Sequence, residues 1–117
     1  MKLREYLELH IEQMKVCFNL THFHISLQKM NEKHTMDILV DYEYLDAVIR
    51  YGRVVSKAFK RGDHEYVIRA LAHETTHILT GEVKMTRRCF APRLFGERAT
   101  EHISRLLFRL YIKEFGI

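Results

Sequence analysis

The residues of this chain that are best suited to chemistry lie in one short stretch, His73-Glu74-Thr75-Thr76-His77. It has the form H-E-x-x-H, in which two histidines on one side of a helix can bind a single zinc ion. Zinc lowers the pKa of a water that it binds towards about 7, and an adjacent carboxylate can then take the proton. The spacing therefore predicts a hydrolytic metal site with His73 and His77 as ligands and Glu74 as the general base.

Two histidines do not complete a catalytic zinc site, which normally has three protein ligands and one open position. A metzincin-type third histidine is not indicated, because Thr80 stands where a glycine is expected and Val83 where that histidine would be. A cysteine ligand of the peptide deformylase type is disfavoured, since neither Cys17 nor Cys89 lies in a Gly-Cys setting. The third ligand is therefore expected later in the chain.

The downstream candidates are Glu97, Glu101 and His102. The two glutamates are four residues apart on a predicted helix, so they face one way. One of them can bind the metal while the other hydrogen-bonds the second nitrogen of a ligand histidine. His102 is the alternative third ligand, although a helix histidine beside Glu101 more often has no metal to bind.

In this respect the sequence resembles the gluzincins, zinc peptidases in which H-E-x-x-H is followed by Glu-x-x-x-Asp on a later helix. This chain has Glu97-Arg98-Ala99-Thr100-Glu101, with glutamate in place of the aspartate, twenty residues after His77. The resemblance implies that Glu97 is the third zinc ligand and that Glu101 orients His73. In size the chain is similar to minimal gluzincins and to small phage-type metallopeptidases, which implies zinc-dependent hydrolysis of a peptide or protein substrate.

The pattern of apolar residues indicates which elements hold this site. Helices are expected over about 2–16, 63–81 and 96–115, with Asp63 as a helix N-cap and Gly81 as a C-terminal stop. Strands are expected at 21–29, 35–42 and 47–51, and the stretch 54–59 fits a strand or a helical turn. The short connections favour antiparallel pairing. The predicted fold is a zincin-like α+β domain spanning 1–117, with an N-terminal helix, a small mainly antiparallel sheet of three or four strands, the H-E-x-x-H helix and a C-terminal glutamate helix.

Several finer predictions concern single side chains. The inward stripe of the last helix is expected to comprise Ala99, Ile103, Leu106, Leu107, Leu110 and Tyr111. His10 is expected at the surface. Tyr111 or a loop arginine is a candidate to stabilise the oxyanion, and a Cys89 thiolate could keep the enzyme latent. The stretch 47–51 is either a sheet edge to which an extended substrate could add as a strand or, equally well, a core strand.

Composition limits the class of protein. The absence of a long apolar run argues against a membrane span, and the acidic N-terminus against a secretory signal, so a cytoplasmic protein is expected.

Residues 84–113 carry eight basic and two acidic side chains. An alternative function is therefore a non-catalytic, zinc-stabilised binding protein whose basic C-terminal third contacts nucleic acid or an acidic partner. Only sixteen residues follow Glu101, so a homodimer, a partner or a terminal segment is predicted to complete or block the cleft.

Overall fold

The computed structural model describes residues 1–31, 33, 35–86 and 97–116, and the side chains of all of these except 82–86, 97 and 99. The elements in chain order are α1 (Leu3–Cys17), β1 (His24–Lys29), β2 (Met36–Asp41), β3 (Asp46–Tyr51), α2 (Arg53–Lys60), α3 (His64–Thr86) and α4 (Glu97–Phe115). The α+β class is as predicted, and the ambiguous stretch 54–59 belongs to helix α2. Within the described ranges, no helix combines the length and the hydrophobicity that a membrane span requires.

The three strands form one mixed sheet with the order β1-β3-β2. β3 pairs in parallel with β1 and antiparallel with β2. The prediction of a mainly antiparallel sheet is therefore wrong for one of the two pairs, and the stretch 47–51 lies in the centre of the sheet instead of at an edge. The short β1–β2 connection does reverse the chain, as its length requires. It leaves a gap one strand wide, however, and β3 fills that gap.

One face of the sheet is buried and the other meets solvent. The buried face carries alternate apolar side chains from all three strands, Leu27, Met36, Ala47, Ile49 and Tyr51. On the opposite face, the Arg50 guanidinium donates to both carboxylate oxygens of Asp37 at 2.6 Å. This alternation gives the sheet its orientation, with the helices packed on the apolar face.

Helix α3 is the central element, because it contacts α1, α2, α4 and β2. It begins where the sequence predicts. The backbone N–H of Tyr66 donates to Asp63 Oδ1 at 3.3 Å, as expected of an N-cap residue. Gly62, just before the cap, has a φ of 81°, which glycine adopts without strain. The organising helix is thus fixed at its start by local sequence.

The predicted stop of this helix at Gly81 is wrong, because α3 continues to Thr86. The glycine serves the packing of Tyr42 instead. The Tyr42 hydroxyl donates to the carbonyl of Ile78 at 2.8 Å, and a Cβ added at Gly81 would overlap with that hydroxyl. A glycine within a helix therefore marks a close approach here, and the turn after β2 is held against the C-terminal half of α3.

The inward face of α4 also differs from the prediction. The buried side chains are Thr100, Ser104, Phe108 and Tyr111. Three leucine and isoleucine residues of the predicted stripe are exposed, with fractions of 37% for Ile103, 65% for Leu106 and 53% for Leu110. The small hydroxyl side chains let α4 approach α3 closely, and that approach rotates the larger aliphatic side chains outwards.

A buried polar contact joins α4 to α1. The Tyr111 hydroxyl donates to Gln13 Oε1 at 2.7 Å and also contacts Nδ1 of His10. His10 is only 6% exposed, so its predicted surface position is wrong. Burial, followed by the neighbouring charge of His64, lowers the pKa of His10. Burial also raises the pKa of Tyr111, so its phenol stays protonated over the whole physiological range.

We expect Gly81→Ala to destabilise the protein by about 1–3 kcal/mol, because the added methyl displaces the Tyr42 ring and breaks its bond to Ile78. On an open helix face the same change would stabilise by up to about 1 kcal/mol. Urea unfolding of wild type and of Gly81→Ala measures the difference in their free energies of unfolding. In a Tyr42→Ala background the substitution should become neutral or stabilising. Equal destabilisation in both backgrounds would show that the close approach is not the cause.

We expect the zinc-free protein to lose stability as the pH falls below about 6.5, the ordinary pKa of histidine. Because the folded-state pKa of His10 is lowered, the unfolded chain takes up that proton first. Each such group contributes at most about 1.4 kcal/mol per pH unit between its two pKa values. Denaturant unfolding at several pH values should give a shallower slope for His10→Gln than for wild type. His22→Gln, at an exposed position, should leave the slope unchanged.

Candidate metal centre

The two central residues of the H-E-x-x-H stretch anchor this part of α3 in the core. Thr75 and Thr76 are fully buried. Their hydroxyls donate to carbonyls of the preceding turn, from Thr75 to Leu71 at 3.1 Å and from Thr76 to Ala72 at 2.6 Å. These bonds satisfy the hydroxyls without any outside partner. One side of the helix therefore faces the core, and His73, Glu74 and His77 lie on the other.

His73, Glu74 and His77 form a compact group. One potential ligand atom from each lies within 4.8 Å of the others, and the two imidazole centroids are 4.9 Å apart. Glu74 is buried at 8% exposure, whereas both histidines are partly accessible. Nitrogen ligands of a tetrahedral zinc ion are roughly 3.3 Å apart, given Zn–N distances of about 2.0–2.1 Å. Small side-chain rotations would bring the two imidazoles to that separation, so the residues fit a zinc ion.

Glu101 reaches this group from α4. Its Oε2 lies 3.2 Å from Nδ1 of His73, and its Oε1 accepts from Nε of Arg105 at 3.0 Å. With Nδ1 engaged by a carboxylate, His73 would bind a metal through Nε2. Carboxylates that hold a ligand histidine in this way fix the ring and raise its basicity. Of the two glutamates singled out from the sequence, Glu101 is thus the one whose described side chain contacts His73.

The second histidine contacts a residue that sequence reasoning missed. Thr100 Oγ1 lies 3.5 Å from Nδ1 of His77 and 2.8 Å from Oγ1 of Thr80. Both threonine side chains are buried between α3 and α4. The only signal in the sequence is positional, since Thr80 follows His77 by three residues and Thr100 directly precedes Glu101. Each candidate ligand histidine therefore has its Nδ1 next to a side chain of α4.

The remaining candidates either lie apart from this group or fall outside the described residues. Glu97 is the first residue of α4, but its side chain lies outside the described residues, as do Cys89 and the whole of 87–96. The His102 side chain is exposed. Tyr111 is fully buried against α1, so the suggestion that it stabilises an oxyanion at the metal centre is wrong.

Two cavities border the metal centre. The first, which we term the strand-side cavity, has a volume of about 320 Å³ and includes Thr35, Met36, Tyr66 and Glu74 in its lining. The second, which we term the arginine cavity, has a volume of about 290 Å³. Both are also lined by Arg69, His73 and Glu101. The strand nearest to the metal centre is thus the edge strand β2, whereas the sequence suggested β3.

No protein family model matches this chain, and no curated protein or solved structure is significantly similar to it.

We expect the purified protein to bind one zinc ion, measured by competition with a chromophoric chelator, and His77→Ala to lose that binding. Glu101→Gln should weaken zinc affinity about 10–100-fold, because the amide lacks the charge that raises the basicity of His73. The matched control is Glu5→Gln, which neutralises an exposed carboxylate in the first turn of α1. Equal loss in both glutamate variants would contradict a specific role for Glu101.

Proposed function

We propose that this protein is a zinc-dependent peptide hydrolase of the gluzincin type. The observation that carries the proposal is the contact between Glu101 and Nδ1 of His73, 3.2 Å long, beside a His73–Glu74–His77 group. The contact supports the proposal because it joins the H-E-x-x-H stretch on one helix to a carboxylate on another.

In this proposal His73, His77 and Glu97 hold the zinc ion, and Glu101 orients His73. When bound, zinc polarises the scissile carbonyl and lowers the pKa of water in the open position towards about 7. The assignment of Glu97 comes from the resemblance alone. His102 remains the alternative third ligand, although its exposure makes it the weaker candidate.

Glu74 supplies the proton transfers. Its carboxylate lines the strand-side cavity, next to His73, and the residue is largely shielded from solvent. It takes a proton from the attacking water and then delivers it to the leaving amine, so that the peptide bond breaks between carbonyl carbon and nitrogen. Low solvent exposure strengthens the electrostatic interactions that favour these transfers.

An extended substrate would lie along the edge of β2. Among the described residues this strand pairs with β3 alone, and its first residue, Met36, lines the strand-side cavity together with Glu74. A peptide that adds to this edge by main-chain hydrogen bonds would carry its scissile bond to the metal centre. The proposed site of strand addition thus moves from 47–51 to β2.

Partners and location remain predictions. A homodimer would cover the exposed side chains of Ile103, Leu106 and Leu110 on α4, and size-exclusion chromatography that shows only monomer would argue against it. A cytoplasmic location is the expectation from the sequence.

The alternative function, a zinc-stabilised protein that binds nucleic acid or an acidic partner, predicts salt-dependent DNA affinity without any cleavage.

We expect the zinc-loaded wild type to cleave members of a broad peptide mixture and Glu74→Gln to cleave them about 10²–10⁴-fold more slowly, because the general base is lost. Mass spectrometry follows the products, and metal analysis should show equal zinc in both proteins. Glu12→Gln, on an exposed face of α1, should retain full activity. Cleavage that survives in Glu74→Gln, or no cleavage by zinc-loaded wild type, would sink the proposal.

A further inference from the structure

Three arginines line the arginine cavity, beside the candidate metal centre. Arg69 projects from α3, and Arg105 and Arg109 project from α4 one turn apart. Phe108 forms an apolar part of the wall, with the guanidinium carbon of Arg69 4.8 Å from its ring centroid. The cavity therefore combines positive charge with one flat apolar surface.

The arginine cavity has an excess of positive charge. Its lining holds three arginines and one carboxylate, that of Glu101, so its formal charge is +2 with His73 neutral. Glu101 pairs with Arg105 at 3.0 Å, and Arg69 has a partner outside the cavity, at 2.6 Å, in an exposed pair of the i,i+4 kind. Such pairs are weak, so an incoming anion can displace them. No carboxylate in the described part of the chain pairs with Arg109.

The arginine cavity adjoins the site of the proposed reaction. Arg69, His73 and Glu101 line it and also line the strand-side cavity. A peptide that extends from one cavity into the other must therefore pass His73. A group held by the arginines would lie close to the bond that is positioned at the metal centre.

The chemistry of the lining selects a carboxylate. Guanidinium groups bind carboxylates through charge-assisted hydrogen bonds, often two at a time. The ring of Phe108 suits the methylene groups of an acidic side chain. We propose that the arginine cavity binds a carboxylate of the substrate next to the scissile bond, so that acidic peptides are the preferred substrates. This inference rests on the proposed function. The carboxylate comes either from an aspartate or glutamate side chain or from the C-terminus of the peptide.

The same features are less suited to nucleic acid. Binding of a single strand uses an extended basic groove with aromatic side chains on which bases stack. The arginine cavity has one aromatic ring, and Arg69 already lies over it.

The test measures binding apart from cleavage. The full-length, zinc-loaded Glu74→Gln protein is titrated into fluorescein-labelled, C-terminally amidated Gly/Ala decapeptides with one Glu at each position in turn, or with Gln instead. Fluorescence anisotropy should show about tenfold tighter binding of the best Glu peptide than of its Gln counterpart, the size expected for one charge-assisted contact. A peptide with a free C-terminus and no acidic side chain identifies the second source of the carboxylate.

Adding Arg109→Gln should reduce the Glu/Gln affinity ratio to about one, and Arg109→Lys should restore part of it. The matched control is Arg53→Gln, which removes an exposed arginine of α2 outside the cavity. An unchanged ratio in Arg109→Gln, or an equal reduction by Arg53→Gln, would overturn the inference. A ten-nucleotide single-stranded DNA that binds more tightly than any Glu peptide and loses affinity in Arg109→Gln would overturn it as well.

The two proposals fail separately. If wild type cleaves Glu and Gln peptides equally well in a Glu74-dependent reaction, hydrolysis stands and the acidic preference is wrong. If the Glu/Gln binding ratio depends on Arg109 but no peptide is cleaved, the cavity binds acidic peptides and hydrolysis is wrong. Circular dichroism of each variant confirms that a lost preference does not reflect unfolding.

Discussion

The close packing of α3 against α4 is the constraint on which the candidate site depends. Two buried threonine hydroxyls, those of Thr80 and Thr100, meet at 2.8 Å between the helices. A larger side chain at either position would push the helices apart. The residue after Thr100 is Glu101, whose carboxylate is 3.2 Å from His73. The distance between the helices therefore decides whether that carboxylate reaches the imidazole or remains in solvent.

Features that repeat with the period of a helix could be predicted from the sequence. The H-E-x-x-H spacing brings His73 and His77 together whatever surrounds them, because i and i+4 share a helix face. Glu101 could be placed beside His73 only through the family resemblance. Thr100 could not be predicted, since its role arises from a contact with another helix, and no local pattern distinguishes such a threonine from an exposed one.

The mistaken predictions have a common physical origin, because each inferred a tertiary property from a local pattern. The length of a connection indicates whether the next strand reverses direction, but it does not fix the order of the strands in the sheet. That order depends on packing across the whole sheet, and β3 lies between β1 and β2. Gly81 has the composition of a helix stop, yet Tyr42 occupies the space that a side chain there would need. On α4, the polar Thr100 and Ser104 are buried whereas Leu106 and Leu110 are exposed, so the apolar stripe read from the sequence is not the face that packs inwards.

The glutamate that replaces the expected aspartate at position 101 connects the candidate metal centre to the arginine cavity. Its carboxylate contacts His73 through one oxygen and Arg105 through the other. Glutamate has one methylene more than aspartate, which helps a half-exposed carboxylate to reach both partners. The same side chain therefore belongs to both proposals: in the first it would orient His73, and in the second it lies in the wall of the cavity that would receive a substrate carboxylate.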